Sequence, residues 1–190
     1  VSFPPAEICL GWQRPGREPR VQVVAAKRGT VEQGRAVLQA SGLTPIRLDL
    51  RPVAAATAFW RGRGADPANV TAVLVELRTD ESSAIFLRAG EIIYTRPLPG
   101  LAGDCQARLA ELAVDLQSTG TLLRTWPDWE EPDCLWLAGA LASRAEVRQT
   151  LAELLGQDPS TLRVAKPLGL LRPAGVAEPG PETLVPVGLC

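Results

Sequence analysis

The sequence predicts an α/β fold, with helices packed on mixed sheets. Two observations carry this. Residues 70–96 hold three strand patterns in a row, and a helix, a strand and a second helix follow, an order βββα-βα. The segment "CLWLAGA", residues 134–140, is wholly apolar, as a strand covered on both faces of a sheet must be. Ahead of residue 61 the order is ββ-αβα.

The elements follow from local chemistry. Residues 6–13 and 20–26 alternate apolar and polar, and "RPGREP" between them holds turn-forming Pro15, Gly16 and Pro19. A helix is expected next, with Thr30 and Gln33 as a capping box, Val31, Val37 and Leu38 as its apolar stripe, and Gly42 as a left-handed stop. "TPIRLDL", residues 44–50, reads as a strand, and Arg51-Pro52 opens a second helix through Trp60. "RGRGADPAN", residues 61–69, reads as a linker. This divides the chain into a first domain, 1–60, and a second, 70–190.

In the second domain, strands are expected at 70–77, 83–88 and 91–96, with Arg88-Ala89-Gly90-Glu91 as a hairpin turn. A helix from Asp104 to Ser118 places Leu109, Leu112, Ala113 and Leu116 on one face, with Gly120 as its cap. The loop "TWPDWEEPD", residues 125–133, precedes the apolar strand. Ser143 and Glu146 then make a capping box for a helix striped by Val147, Leu151, Leu154 and Leu155 and ended by Gly156. "TLRVAKP" reads as a last short strand, the tail from Pro167 as loop, and Leu184 to Leu189 as a helical turn.

Composition narrows the function classes. Lys and Arg number 20 against 21 Asp and Glu, a net charge of -1, so no basic excess points to nucleic acid or to a membrane surface. The longest apolar stretch, Cys134 to Ala142, is too short to insert in a bilayer. Cys9, Cys105, Cys134 and Cys190 are scattered and histidine is absent, so no metal centre of thiolates and imidazoles is expected, and no Ser-His or Cys-His catalytic pair. The cysteines read as small hydrophobes in a reducing compartment. Asp80 and Glu81 read as a solvated turn tip. Trp60 reads as an inter-domain contact. Trp126 and Trp129 flank Pro127 in an acidic loop, where paired aromatics anchor a partner or fold back on their own domain.

Several phrases carry a family resemblance. "VSFPPAEICLGWQ", "VQVVAAKRGTVEQGRAVLQASGLTPIRLDL", "IIYTRPLPG" and "LWLAGALASRAEVRQTLAELLG" follow one another in the order of the type IV pilus assembly PilM family, which the chain resembles over nearly its whole length. FtsA and GspL are related families. The resemblance implies an actin-like (ribonuclease-H-like) fold, incomplete here, with part of a small inserted subdomain in residues 1–26. The chain starts at Val1 without a methionine, which reads as a fragment whose first phosphate loop lies upstream.

The resemblance also implies where ATP and magnesium bind: the cleft between two actin-like domains. The second phosphate loop, Asp-Ile-Gly in the family, is Glu76-Leu77-Arg78 here. Glycine admits phosphate to the backbone N–H groups, and a side chain intrudes. Either Arg78 contacts phosphate by its guanidinium and Glu76 orients magnesium, or both are ordinary polar residues at a strand end. The glycine-rich adenine loop keeps only Gly139, in Ala138-Gly139-Ala140-Leu141, which also suits a plain strand-to-helix turn. The expectation is a non-enzymatic scaffold with a degenerate nucleotide site. It is cytoplasmic and peripheral to the inner membrane, and holds the tail of a PilN-like partner. An ATP-binding switch with altered loops is the alternative. A sugar-kinase-like enzyme is disfavoured, because no aspartate followed by glycine stands at a strand end.

Overall fold

The computed structural model describes residues 4–13, 21–46, 49–63 and 70–165. The chain forms two compact units, Val1–Leu50 and Arg51–Cys190.

In the first unit, strands β1 (Ile8–Gln13) and β2 (Gln22–Lys27) pair antiparallel and lead into helix α1 (Arg28–Ala40). Alternation puts half-buried Cys9, Val24 and Ala26 on one face of the hairpin, and exposed Leu10, Trp12 and Val23 on the other. The Arg28 guanidinium donates to the carbonyls of Ala6 (2.9 Å) and Ile8 (3.3 Å). Gly42 ends α1 as expected. At φ +76° it lets the Leu43 N–H reach the Leu38 carbonyl at 3.0 Å. Three expectations fail. The helix starts at Arg28, so Thr30 lies inside it and caps nothing. Val37 is exposed rather than part of the buried stripe. No strand forms at 44–46 or 49–50, where Ile46 is 98% exposed and has no strand to pair with among the described residues; 47 and 48 lie outside them.

The second unit begins at helix α2 (Arg51–Arg63). The expected linker is therefore helical over residues 61–63, and its remainder lies outside the described residues. The compact units divide at Leu50/Arg51, and α2 buries Ala55, Ala58 and Phe59 in the second unit's core. Trp60 meets Phe59 of the same helix with the rings tilted, at 5.1 Å between ring centroids.

Strands β3 (Thr71–Glu76), β4 (Glu81–Arg88) and β5 (Glu91–Pro99) form the expected meander, and β6 (Cys134–Ala138) and β7 (Leu162–Val164) complete a five-stranded sheet of order β5-β4-β3-β6-β7. β4 is antiparallel to its neighbours, and β3, β6 and β7 run parallel. The β4–β5 turn places Ala89 (φ +49°) and Gly90 (φ +83°) in the left-handed region that a tight hairpin needs.

Central β3 is buried at every position. Ala72 and Leu74 face α2, whereas Val73 and Val75 face helices α3 (Cys105–Arg124) and α4 (Ala145–Leu155). The result is three layers, helix–sheet–helices. Each large aliphatic side chain so buried contributes roughly 1.5–3 kcal/mol. The expected face Leu109, Leu112, Ala113 and Leu116 of α3 is buried. Asp104 caps this helix through the N–H groups of Gln106 and Ala107. Gly120 does not end it: the helix continues to Arg124, since Leu123 is fully buried. Ser143 does not cap α4 either, because the N-cap is Arg144. Gly156, at φ +66°, does end α4. In the same stripe Leu154 is exposed. The expected loop from Pro167 and the helical turn at 184–189 lie outside the described residues.

Gly139 is a point where the backbone packs too closely for a Cβ. Its φ is +90°, and a Cβ there would sit 2.3 Å from the Leu77 carbonyl oxygen. Gly156 has a similar φ and open space around it. Gly156→Ala should therefore cost about 1 kcal/mol from backbone strain alone, and Gly139→Ala about 3 kcal/mol from strain plus collision. Urea unfolding of both variants checks this, and equal costs would contradict the packing argument.

Candidate functional site

The candidate site lies where parallel strands β3 and β6 end. Crevices at the carboxyl ends of such strands are where open α/β sheets bind ligands. Here the two strand ends are tied together. The Leu77 N–H donates to the Ala138 carbonyl at 2.8 Å, and Gly139 then packs on the Leu77 carbonyl. Gly139 is buried, as are Leu141 and Ala142 beyond it. The role of Gly139 is thus visible in backbone packing, without reference to a base.

Glu76 is the last residue of β3 and one of the few buried polar residues, at 4% exposure. The Arg51 and Arg78 guanidinium groups lie 3.7 and 3.9 Å from its Oε1, beyond hydrogen-bond range, and Oε2 has no hydrogen-bond partner. Burial raises the pKa of this carboxyl above the ordinary 4.5, and the two arginines oppose that without cancelling it. Arg51 was not singled out in the sequence. It stands 25 residues upstream on another element, and no local pattern links it to Glu76.

Arg78 is not aimed at open space. Its Nε and NH2 grip the two carboxylate oxygens of Asp80 at 2.9 and 3.0 Å, a bidentate fork. Asp80 also accepts from the backbone N–H groups of Glu81 and of its own residue, and these bonds, after that of Arg78, hold its carboxyl well below the usual carboxylate range. Asp80 is therefore an exposed tip, as expected, but a committed one.

The rest of the turn is equally occupied. The Arg78 N–H donates to the Ser82 hydroxyl at 3.1 Å. Its carbonyl accepts from Leu101 N–H at 2.8 Å, and that of Thr79 from Ala102 N–H at 3.0 Å. Gly100 makes this fit possible, since a Cβ there would lie 2.1 Å from the Asp80 carbonyl oxygen.

The structure brings Glu76, Arg78 and Gly139 to one end of the sheet. Trp126 and Trp129 lie apart from them, and both fold back on their own domain. Trp126 meets Tyr94 edge-on at 5.9 Å, and Trp129 packs on Phe86 at 6.1 Å. Among the described residues, Cys9, Cys105 and Cys134 are free and half-buried, and no three potential ligands group as a metal site.

The buried carboxyl sets a pH dependence. A folded pKa raised above the unfolded value means the unfolded chain loses its proton first, so stability falls as pH rises from about 4.5 through the folded pKa and levels off above it. Glu76→Gln removes this component. Urea midpoints measured across that range should drop with rising pH in the parent relative to the variant, and parallel curves would contradict it.

No protein-family model matches this sequence, and no curated protein resembles it in sequence. Solved structures do resemble its fold. One is the PilM–PilN type IV pilus biogenesis complex, with a TM-score of 0.71 and 20% identity over 100% of this chain and 67% of that one. Another is the ethanolamine utilization protein EutJ from Carboxydothermus hydrogenoformans, with a TM-score of 0.60 and 15% identity over 86% of this chain and 61% of that one. The chain thus spans about two thirds of the length of these relatives. By architecture and by likeness to these structures, it has an actin-like fold, similar to that of the pilus-biogenesis PilM.

Proposed function

We propose that this protein is a non-enzymatic actin-like scaffold of a type IV pilus, secretion or competence apparatus. It works at the cytoplasmic face of the inner membrane and holds the cytoplasmic tail of a PilN-like membrane protein. The observation that carries the non-enzymatic part is the Arg78–Asp80 fork. Asp80 brings its own anion to the Arg78 guanidinium and to the backbone N–H groups of the turn, the partners a phosphate would use. The turn therefore holds its shape with no nucleotide. Glu76, the residue in the place of a magnesium-orienting aspartate, is buried among arginines, and burial favours its uncharged form.

The partner is supported by the fold. The similar structure is that of a complex of PilM with PilN, and its likeness extends over this whole chain. No described helix is long and apolar enough to cross a membrane. An extended tail has a means of attachment in the first unit: β1 and β2 pair only with each other among the described residues, so each has an outer edge free for a further strand.

Full-length protein, tagged and captured from its own cell with solubilised inner membrane, should recover a pilus or secretion component of that membrane. Recovery should fall when Gly11 of β1 becomes proline, which removes an N–H donor and stiffens the strand. A capture that returns no inner-membrane component would contradict the proposal.

A further inference from the structure

A second candidate site lies at the opposite end of the same strands. A cavity of about 550 Å3 opens between the last turns of α3, the loop before β6 and the segment after α4. This volume is within the range of ligand pockets, about 300–1,000 Å3. Leu135 and Trp129 form its accessible apolar wall, with Val73 and Phe86 nearly covered beneath them. The tryptophan that folds back on Phe86 is thereby one side of a pocket.

Two independent features mark this cavity as more than a packing gap. The first is Gly120. It sits inside a helix of 20 residues, where glycine weakens the helix. Yet a Cβ there would meet nothing within 4 Å, so no close packing calls for glycine. Gly120 lines the cavity, and a side chain would grow into it. Gly120 leaves this side of the cavity open.

The second feature is charge. Glu131, Asp133 and Asp158 stand on the rim against Arg124 alone. Arg124 is itself held by Glu131, at 2.6 Å. Asp133 accepts from the Thr71 N–H at 3.0 Å, and Asp158 from Ser160 N–H at 2.8 Å, so both carboxylates are fixed in position. The hydrogen bonds at Ser160 hold the Asp158 carboxyl below its usual range, so it is ionised at neutral pH. The excess of negative charge surrounds an apolar floor.

We infer that this cavity is a docking site for a basic peptide segment that inserts one large apolar side chain, with Lys or Arg on each side of the anchor. The anchor packs on Trp129 and Leu135 in the space that Gly120 leaves open. The flanking cations lie over Asp133 and Asp158, since Glu131 is already paired with Arg124. Segments of this kind flank the cytoplasmic ends of membrane spans. In naming a membrane-protein segment as the source, the inference rests on the proposed function, whereas the pocket and its chemistry do not.

The test uses full-length protein and a synthetic hexapeptide with two lysines on each side of a leucine–phenylalanine pair, titrated by calorimetry. Saturable binding is expected, weaker at high salt because the rim is partly solvated. Gly120→Leu should fill the pocket and reduce affinity at least about tenfold, the size of one anchor contact. Gly120→Ala should raise the melting temperature, which shows that the helix tolerates a side chain at this position. Asp133→Asn with Asp158→Asn should weaken binding while keeping both backbone caps. Absence of binding, undiminished binding by a folded Gly120→Leu protein, or equal binding of the peptide with glutamates for lysines would each overturn the assignment. A protein that binds the peptide here but captures no membrane component keeps this site and removes the scaffold reading.

Discussion

The parallel contact between β3 and β6 is the constraint on which the rest of the structure depends. β3 is the middle strand, buried on both faces, and β6 is the strand that joins the meander to the segment carrying α4 and β7. The ladder runs past the end of β3 through the Leu77 N–H and the Ala138 carbonyl. At that point the two backbones approach so closely that only glycine fits at position 139. This parallel pair joins residues far apart in sequence, and Gly139 admits the close approach at which it ends.

The same contact shapes both ends of the sheet. At the carboxyl end it draws the two loops together, and the turn after β3 then satisfies itself. Arg78 and Asp80 close on each other, and Ser82, Leu101 and Ala102 use the remaining backbone groups. At the other end a cavity opens. α3 passes over the sheet with a glycine where a side chain would fill the gap, and the acidic loop before β6 forms the far wall. At the carboxyl end the turn after β3 is bonded by its own residues, whereas a cavity opens at the opposite end.

Much of this was legible in the sequence, for reasons of range. The meander, the β4–β5 turn and the buried face of α3 depend on residues close in sequence, and periodicity reports them directly. The apolar run at 134–140 announced a strand, although β6 ends at Ala138 and its first three residues are only half-buried. The errors fall where tertiary packing overrides a local signal. Gly120 reads as a helix stop, but burial of Leu123 carries the helix onward. Thr30 and Ser143 have capping chemistry, yet the helices start at Arg28 and Ala145. At the site, the strand-end positions of Glu76 and Gly139 were readable. The environment of Glu76 was not, because Arg51 approaches it from helix α2 and burial is a property of the assembled layers. Asp80 read as a loose tip because an i, i+2 fork in a turn has no periodic signature.

The central claim is that the phosphate-side turn is occupied by its own carboxylate and takes no nucleotide. Calorimetric titration of Mg-ATP into folded, full-length protein tests it most directly. The account predicts no binding heat at millimolar ATP. Micromolar binding that weakens in Arg78→Ala would contradict it, and would make Arg78 a phosphate ligand and the protein a nucleotide-controlled switch.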